Sequence, residues 1–242
     1  NLGVDVAVAP SGDVVLLGQL GSVSRQVLDF GGTTVYYPTL NPTADPQPQI
    51  YVAAFNETGS LKGSEAAIFY GNWSAPYSGS TPNEGTVAGS VSVDSSGDIY
   101  VVGSYDGVGC IGTGNANNEA NSCMHDLVQS DGRDAFVAKL GAEWTFANIF
   151  QGVDWLSNVS SNGTDHLVSI SISDDLASVG GLISGDASLG GMEIESSDRD
   201  ALSASLSTVS GSWMSALSVD GGGEDDAFSS TASIARGTGF LM

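Results

Sequence analysis

Basic side chains are nearly missing: 6 Lys and Arg stand against 28 Asp and Glu, a formal net charge of −22. Binding phosphates takes clustered Lys and Arg, so nucleic acid is excluded as a partner and anionic membrane surfaces are disfavoured. No apolar run approaches the ~20 residues that cross a bilayer as a helix, so no membrane insertion is expected. Lys, Arg and Gln are scarce and glycine interrupts almost every apolar run, which leaves few windows that read as helix. Proline is limited to 7 residues and cysteine to 2. Charged residues make up only 14%, and with 41% hydrophobic residues the chain is too apolar for disorder.

What is abundant is glycine, 33 residues, together with serine and valine. That mixture makes short strands and tight turns, so the fold class expected is all-β. Self-similarity then organises the chain. VAVAPSGDVVLLG (Val6 to Gly18) aligns without a gap on VSVDSSGDIYVVG (Val91 to Gly103), 85 positions later. Alternating apolar residues, a Ser-Gly-Asp turn and a returning apolar run describe a β-hairpin. ISISDDLASVG (Ile170 to Gly180) reads as a third copy with its turn two residues shorter, and ASIARGTGFLM (Ala232 to Met242) as the start of a fourth.

A variable insertion follows each hairpin, then a second repeated strand: IYVAAF (Ile50 to Phe55), AFVAKL (Ala135 to Leu140) and ALSASL (Ala201 to Leu206). A fourth strand is expected at AAIFYG (Ala66 to Gly71), ANIFQG (Ala147 to Gly152) and ALSVDG (Ala216 to Gly221). Four short strands per unit suit a β-propeller of four-stranded antiparallel blades. The units fall at approximately 1–85, 86–160 and 161–224, with a partial unit at 225–242. Closed propellers typically have four to eight blades, so an incomplete segment of a larger propeller is expected.

SVSVDSSGDIYVVGSY followed by GRDAFVAKL resembles the SBBP-type β-propeller repeat family. The resemblance is carried best by the second unit, by the hairpin of the first, and loosely by the third. It implies a propeller fold and a cell-surface or secreted setting, and says little about activity. The hairpin departs from the Asp-box turn of sialidase-like propellers, and four arginines are few for a carboxylate clamp.

Cys110 and Cys123 flank an Asn/Gly-rich loop and read as a disulfide, which implies an oxidising compartment. N-glycosylation sequons stand at Asn56, Asn72, Asn158 and Asn162, and agree with secretion. No metal site is expected from the two cysteines. Ca²⁺ is the one cofactor that composition suggests, at the Asp94/Asp98 hairpin or in GGGEDDAF (Gly221 to Phe228). His125 and His166 belong to no catalytic motif. Asp134 and Asp200, which precede matching strands, read as turn ties, and Arg133 and Arg199 as structural.

A catalytic set is therefore not expected. The leading expectation is a secreted structural or interaction glycoprotein, a subunit of an extracellular surface assembly or filament such as a flagellar-hair-like fibre. Its partners would be copies of itself or other extracellular proteins. The alternative is a carbohydrate-binding module that uses aromatics of the insertions (Tyr36, Tyr37, Trp73, Tyr77 and Tyr105) to hold glycans. A glycoside hydrolase working through Asp pairs such as Asp174-Asp175 ranks third.

Overall fold

The computed structural model describes residues 2–20, 26–30, 33–37, 49–62, 66–70, 86–107, 109–114, 125–126, 132–141, 152–196 and 199–219. No helix occurs among them, and every pairing between strands is antiparallel. The first unit contains β1 (Leu2–Val8), β2 (Val14–Leu20), the short pair β3 (Gln26–Phe30) and β4 (Thr33–Tyr37), β5 (Gln49–Phe55) and β6 (Ala66–Tyr70). The second contains β7 (Thr86–Val93), β8 (Ile99–Asp106), β9 (Cys110–Gly114), β10 (His125–Asp126), β11 (Arg133–Leu140) and β12 (Val153–Ser161). The third contains β13 (His166–Ser173), β14 (Leu176–Ser184), β15 (Ala187–Leu189), β16 (Met192–Ile194), β17 (Arg199–Ser207) and β18 (Trp213–Val219). The proposed fourth copy, 225–242, lies outside the described residues.

Each unit has a meander of four strands: β1-β2-β5-β6, β7-β8-β11-β12 and β13-β14-β17-β18. The fourth strand of the second unit is thus Val153–Ser161, not the expected Ala147 to Gly152, of which 147–151 lie outside the described residues. ANIFQG resembles AAIFYG in its letters, yet VDWLSNVSS is the segment hydrogen-bonded to β11.

The turns explain why these strands reverse where they do. In Ala9–Asp13, Asn56–Ser60 and Asp94–Asp98 the first and fifth residues share a backbone hydrogen bond, and a glycine at the fourth place donates to the first. Gly12, Gly59 and Gly97 there have φ of 86°, 78° and 91°, the left-handed backbone of a three-residue hairpin loop with a bulge. The third unit uses a two-residue turn, Asp174-Asp175, with Asp174 at φ 52°. By the faces of the strands, this turn is one residue shorter than in the second unit, not two. Val179 pairs with Ala204 as Val101 pairs with Ala138, so Gly181 and not Gly180 matches Gly103. A one-residue slip would put every side chain on the wrong face.

The insertions hold a feature absent from the sequence reading. The pair β9-β10, inserted in the second unit, adds to the edge of β6 in the first unit. The pair β15-β16, inserted in the third unit, adds to β12 in the second. Two sheets of six strands result, β1-β2-β5-β6-β9-β10 and β7-β8-β11-β12-β15-β16. The third unit keeps four strands, and β3-β4 forms a two-stranded sheet of its own.

Alternation along the strands builds two cores. Val15, Leu17, Ile50 and Val52 of the first unit cluster with Val91, Val101, Phe136, Ala138 and Leu140 of the second. The opposite face of the second unit, Tyr100, Val102, Ala135 and Val137, clusters with Ile170, Val179, Ile183, Leu202 and Leu206 of the third. The first strands follow one another, β7 adjoining both β1 and β13. Polar latches cross each joint from one repeat position: Gln19 donates to Thr86 O at 2.6 Å and accepts from Ala88 N at 2.8 Å, and Ser104, 85 residues on, pairs with His166 Nδ1 at 2.9 Å.

Each first strand carries a bulge at the same place, at Val4, Gly89 and Val168. At Gly89 a Cβ would collide with the Leu167 carbonyl of the third unit, so only glycine lets the two backbones approach. Gly89→Ala should therefore cost about 1–3 kcal/mol as overpacking. Gly3→Ala, whose Cβ would meet only Leu16 Cδ1 at 3.8 Å, should be near neutral. Urea unfolding of the two variants reads the contrast, and equal midpoints would contradict this account of the joint.

Candidate functional site

The residues singled out from the sequence scatter over the molecule. Cys110 lies on β9, in register with Asp126 of β10, while Cys123 lies outside the described residues. Asn56 opens a tight turn, and its Oδ1 accepts from Thr58 N, Thr58 Oγ1 and Ser60 N at 2.7–3.1 Å. Asn158 is half-buried in mid-strand opposite Phe136, whereas Asn162 and Thr164 are exposed in the turn after β12. Asn72 lies outside the described residues.

At the hairpin considered for Ca²⁺, the carboxylates have partners within the protein. Asp94 accepts from Ser96 N, Asp98 N and Tyr100 Oη, and Asp98 pairs with Lys139 Nζ at 2.7 Å. Among the described residues no group of three or more His, Cys, Asp and Glu is placed to hold a metal. The GGGEDDAF segment lies outside the described residues. Tyr105 is fully buried against Phe136, so it cannot serve in an exposed aromatic shelf. Tyr36 and Tyr37 belong to β4, and Trp73 and Tyr77 lie outside the described residues.

Asp134 and Asp200 do not precede the third strands but are their second residues. Both sit inside third strands and are buried, in register with Tyr105 and Ile183. Arg133 and Arg199 share a repeat position but differ in use. Arg133 is buried and forms two 3.0 Å bonds to its cross-strand neighbour Asp106, whereas Arg199 faces Ser184 and is exposed. Asp165 is buried beside this pair, its Oδ1 accepting from Ser161 Oγ at 2.8 Å and Ser184 N at 3.1 Å. Burial, aided by the charge of Asp134, pushes its carboxyl up to about 7. Burial and Asp134 likewise push the Tyr105 hydroxyl up. Asp134, Asp165 and Asp200 are thus closed to solvent.

The surfaces that stand out are the two ends of the row of sheets. Val6 is 56% exposed, although its equivalent 85 residues later, Val91, is 5% exposed in the first core. Val8, on the same face, is also exposed, while Val14, Leu16 and Phe55 there are half-buried and Tyr51 and Ala53 are buried. At the other end the corresponding face carries Ser169, Ser171, Ser173, Ser178, Ser203, Ser205 and Ser207. On that same face β18 exposes Leu217 and Val219, in register with Ser203 and Ala201, and its bulge exposes Met214. Sequence reasoning had the signal for the first end, the 85-residue offset, but no means to tell which copy of a valine lacks a neighbour.

Two measurements follow. Between pH 4 and 7 folded Asp165 keeps a proton that the unfolded chain releases, so its cost is absent at low pH and complete above 7. The cost is on the order of 2–4 kcal/mol. Stability should fall less steeply from pH 5 to 7.5 in Asp165→Asn than in the parent, and parallel pH profiles would refute the assignment. If the sequons are used, peptide mapping should find higher glycan occupancy at exposed Asn162 than at Asn158, and the reverse order would contradict the geometry. Against models of protein families and against characterised proteins, the chain matches none.

Proposed function

We propose that the chain is a β-propeller segment of SBBP-like repeats, serving as a non-catalytic structural or interaction glycoprotein of an extracellular assembly. Its partners on this reading are copies of itself or neighbouring extracellular proteins. The propeller reading is supported by three four-stranded meanders whose first strands β1, β7 and β13 succeed one another. The assembly reading is carried by one observation: Val6 lies open where the repeat buries Val91. Val6 and Val8, two exposed valines on one strand face, lose hydrophobic free energy in water, and exposed patches of this kind mark interaction surfaces.

The disulfide between Cys110 and Cys123 and the glycans at the sequons belong to the same proposal, since both fit an oxidising, secretory route. Carbohydrate recognition is the competing outcome, and loses Tyr105 from its aromatic set.

Sedimentation of the purified chain tests the reading. It should associate as concentration rises, and Val6→Lys with Val8→Lys should weaken association roughly tenfold or more, from the lost burial of two valines. The thermal midpoint of the dissociated chain should hardly change, because both positions are exposed. A chain that remains monomeric throughout and binds a glycan array would replace assembly by carbohydrate recognition.

A further inference from the structure

The connection from β12 to β13, residues 162–165, carries the chain from the second unit into the third through stacked backbones. A Cβ on Gly132 would collide with the Gly163 carbonyl, and one on Gly163 with the Ser184 carbonyl. Arg133 N donates to Gly163 O at 3.0 Å, and Asp165 N to Arg133 O at 2.7 Å. Ser161 Oγ lies 2.8 Å from Asp165 Oδ1 and 3.0 Å from Ser184 O, and Ser184 N donates to Asp165 Oδ1 at 3.1 Å. One carboxyl oxygen thus ties the end of β12 and the end of β14 to the connection.

The other oxygen is the exception. Asp165 is 0% exposed, yet its Oδ2 has no hydrogen-bond partner, a setting that strongly disfavours the ionised form. The charged groups packed around it do not supply one. Asp134 on β11 brings a like charge. Arg133 directs its guanidinium to Asp106 of β8, and Tyr105 of β8 stands in register with Asp134. His166 turns Nδ1 to Ser104. Arg199 of β17, opposite Ser184, is exposed, Asp200 is buried opposite Ile183, and Asp186 is exposed ahead of β15. The carboxyl, held up at about 7, therefore changes charge near neutrality. Asn162 and Thr164 are already exposed, so the connection can lift without moving a strand. Leu189 and Ile194 keep β15-β16 in the apolar core, which confines the movement to 162–165.

We propose that residues 162–165 form a proton-operated clasp at the joint between the second and third units, held shut by protonated Asp165 and loosened as that carboxyl ionises. Opening gives Oδ2 water and frees Ser161 and Ser184 from Oδ1, while the apolar core still holds the two sheets together. The direction follows from linkage: the shut form keeps a proton that the open form, with an ordinary carboxylate, has released. Acid therefore tightens the joint, and a rise to neutrality loosens it. The clasp works within one chain and does not depend on the assembly reading.

Residue-resolved amide hydrogen exchange tests it, with rates expressed as protection so that the intrinsic pH dependence drops out. Between about pH 5.5 and 8, protection at Arg133, Asp165 and Ser184 should fall at least tenfold. Low urea should leave these amides unaffected, because the opening exposes little surface, while it speeds exchange in the β8-β11 ladder. Asp165→Asn, uncharged throughout the range, should lose the pH dependence at Arg133 and Ser184. Should that variant not fold, the parent still decides: the fall in protection must level off where the Asp165 carboxyl carbon resonance titrates. Protection that is constant with pH, that follows the ladder in level and urea dependence, or that falls equally in Asp165→Asn overturns the clasp. So does a carboxyl resonance that titrates away from the levelling point.

Discussion

Burial of one sheet face against the next holds this protein together, and nearly every other feature answers to it. A β-strand places alternate residues on opposite faces, so each internal sheet needs two apolar faces and each joint needs two that fit. The second unit meets that demand on both sides, with Val101 and Phe136 turned one way and Val102 and Val137 the other. Glycine sits where the joints are tightest, under the Leu167 carbonyl of the third unit at Gly89 and against the Ile50 side chain of the first unit at Gly103. The latches from Gln19 and Ser104 add direction to contacts that hydrophobic burial alone leaves free to slide.

Much of this order was legible in the letters. The 85-residue offset located β1, β2, β5, β7, β8 and β11 because their turns demand glycine at one place and their faces demand alternating apolar residues. The fourth strand of the second unit was misplaced because ANIFQG copies the letters of AAIFYG while the backbone pairing lies a few residues later. The third turn was misjudged by one residue because letters were matched where faces should have been. Alternation is the more faithful guide, since selection on a sheet acts through which side is buried.

The hairpins in the insertions were illegible for a different reason. Their pairing is with the preceding unit, a contact that no local pattern reports, and their lengths differ too much to align. Only the Gly-Gly doublets at 31–32 and 190–191 gave a sign, and a doublet alone reads as any tight turn. Likewise Asp134 and Asp200 looked like turn residues because they precede strands, whereas the strands begin earlier and bury them. The buried position of Asp165 could not be foreseen, because it depends on three segments meeting at Ser161, Ser184 and Arg133.

The serine-lined face of the third unit gives the molecule a thermal asymmetry. Hydroxyls remain well hydrated, so the serines of that face have little to gain from leaving water, while its exposed Leu217 and Val219, like Val6 and Val8 of the first unit, have much to gain. Burial of valine carries a negative heat-capacity change and weakens on cooling. Contacts made through the valine end therefore loosen in the cold, and calorimetry of association at two temperatures reads the sign. The hydrogen-bonded latches between units do not share that dependence, whereas the apolar cores between the sheets do.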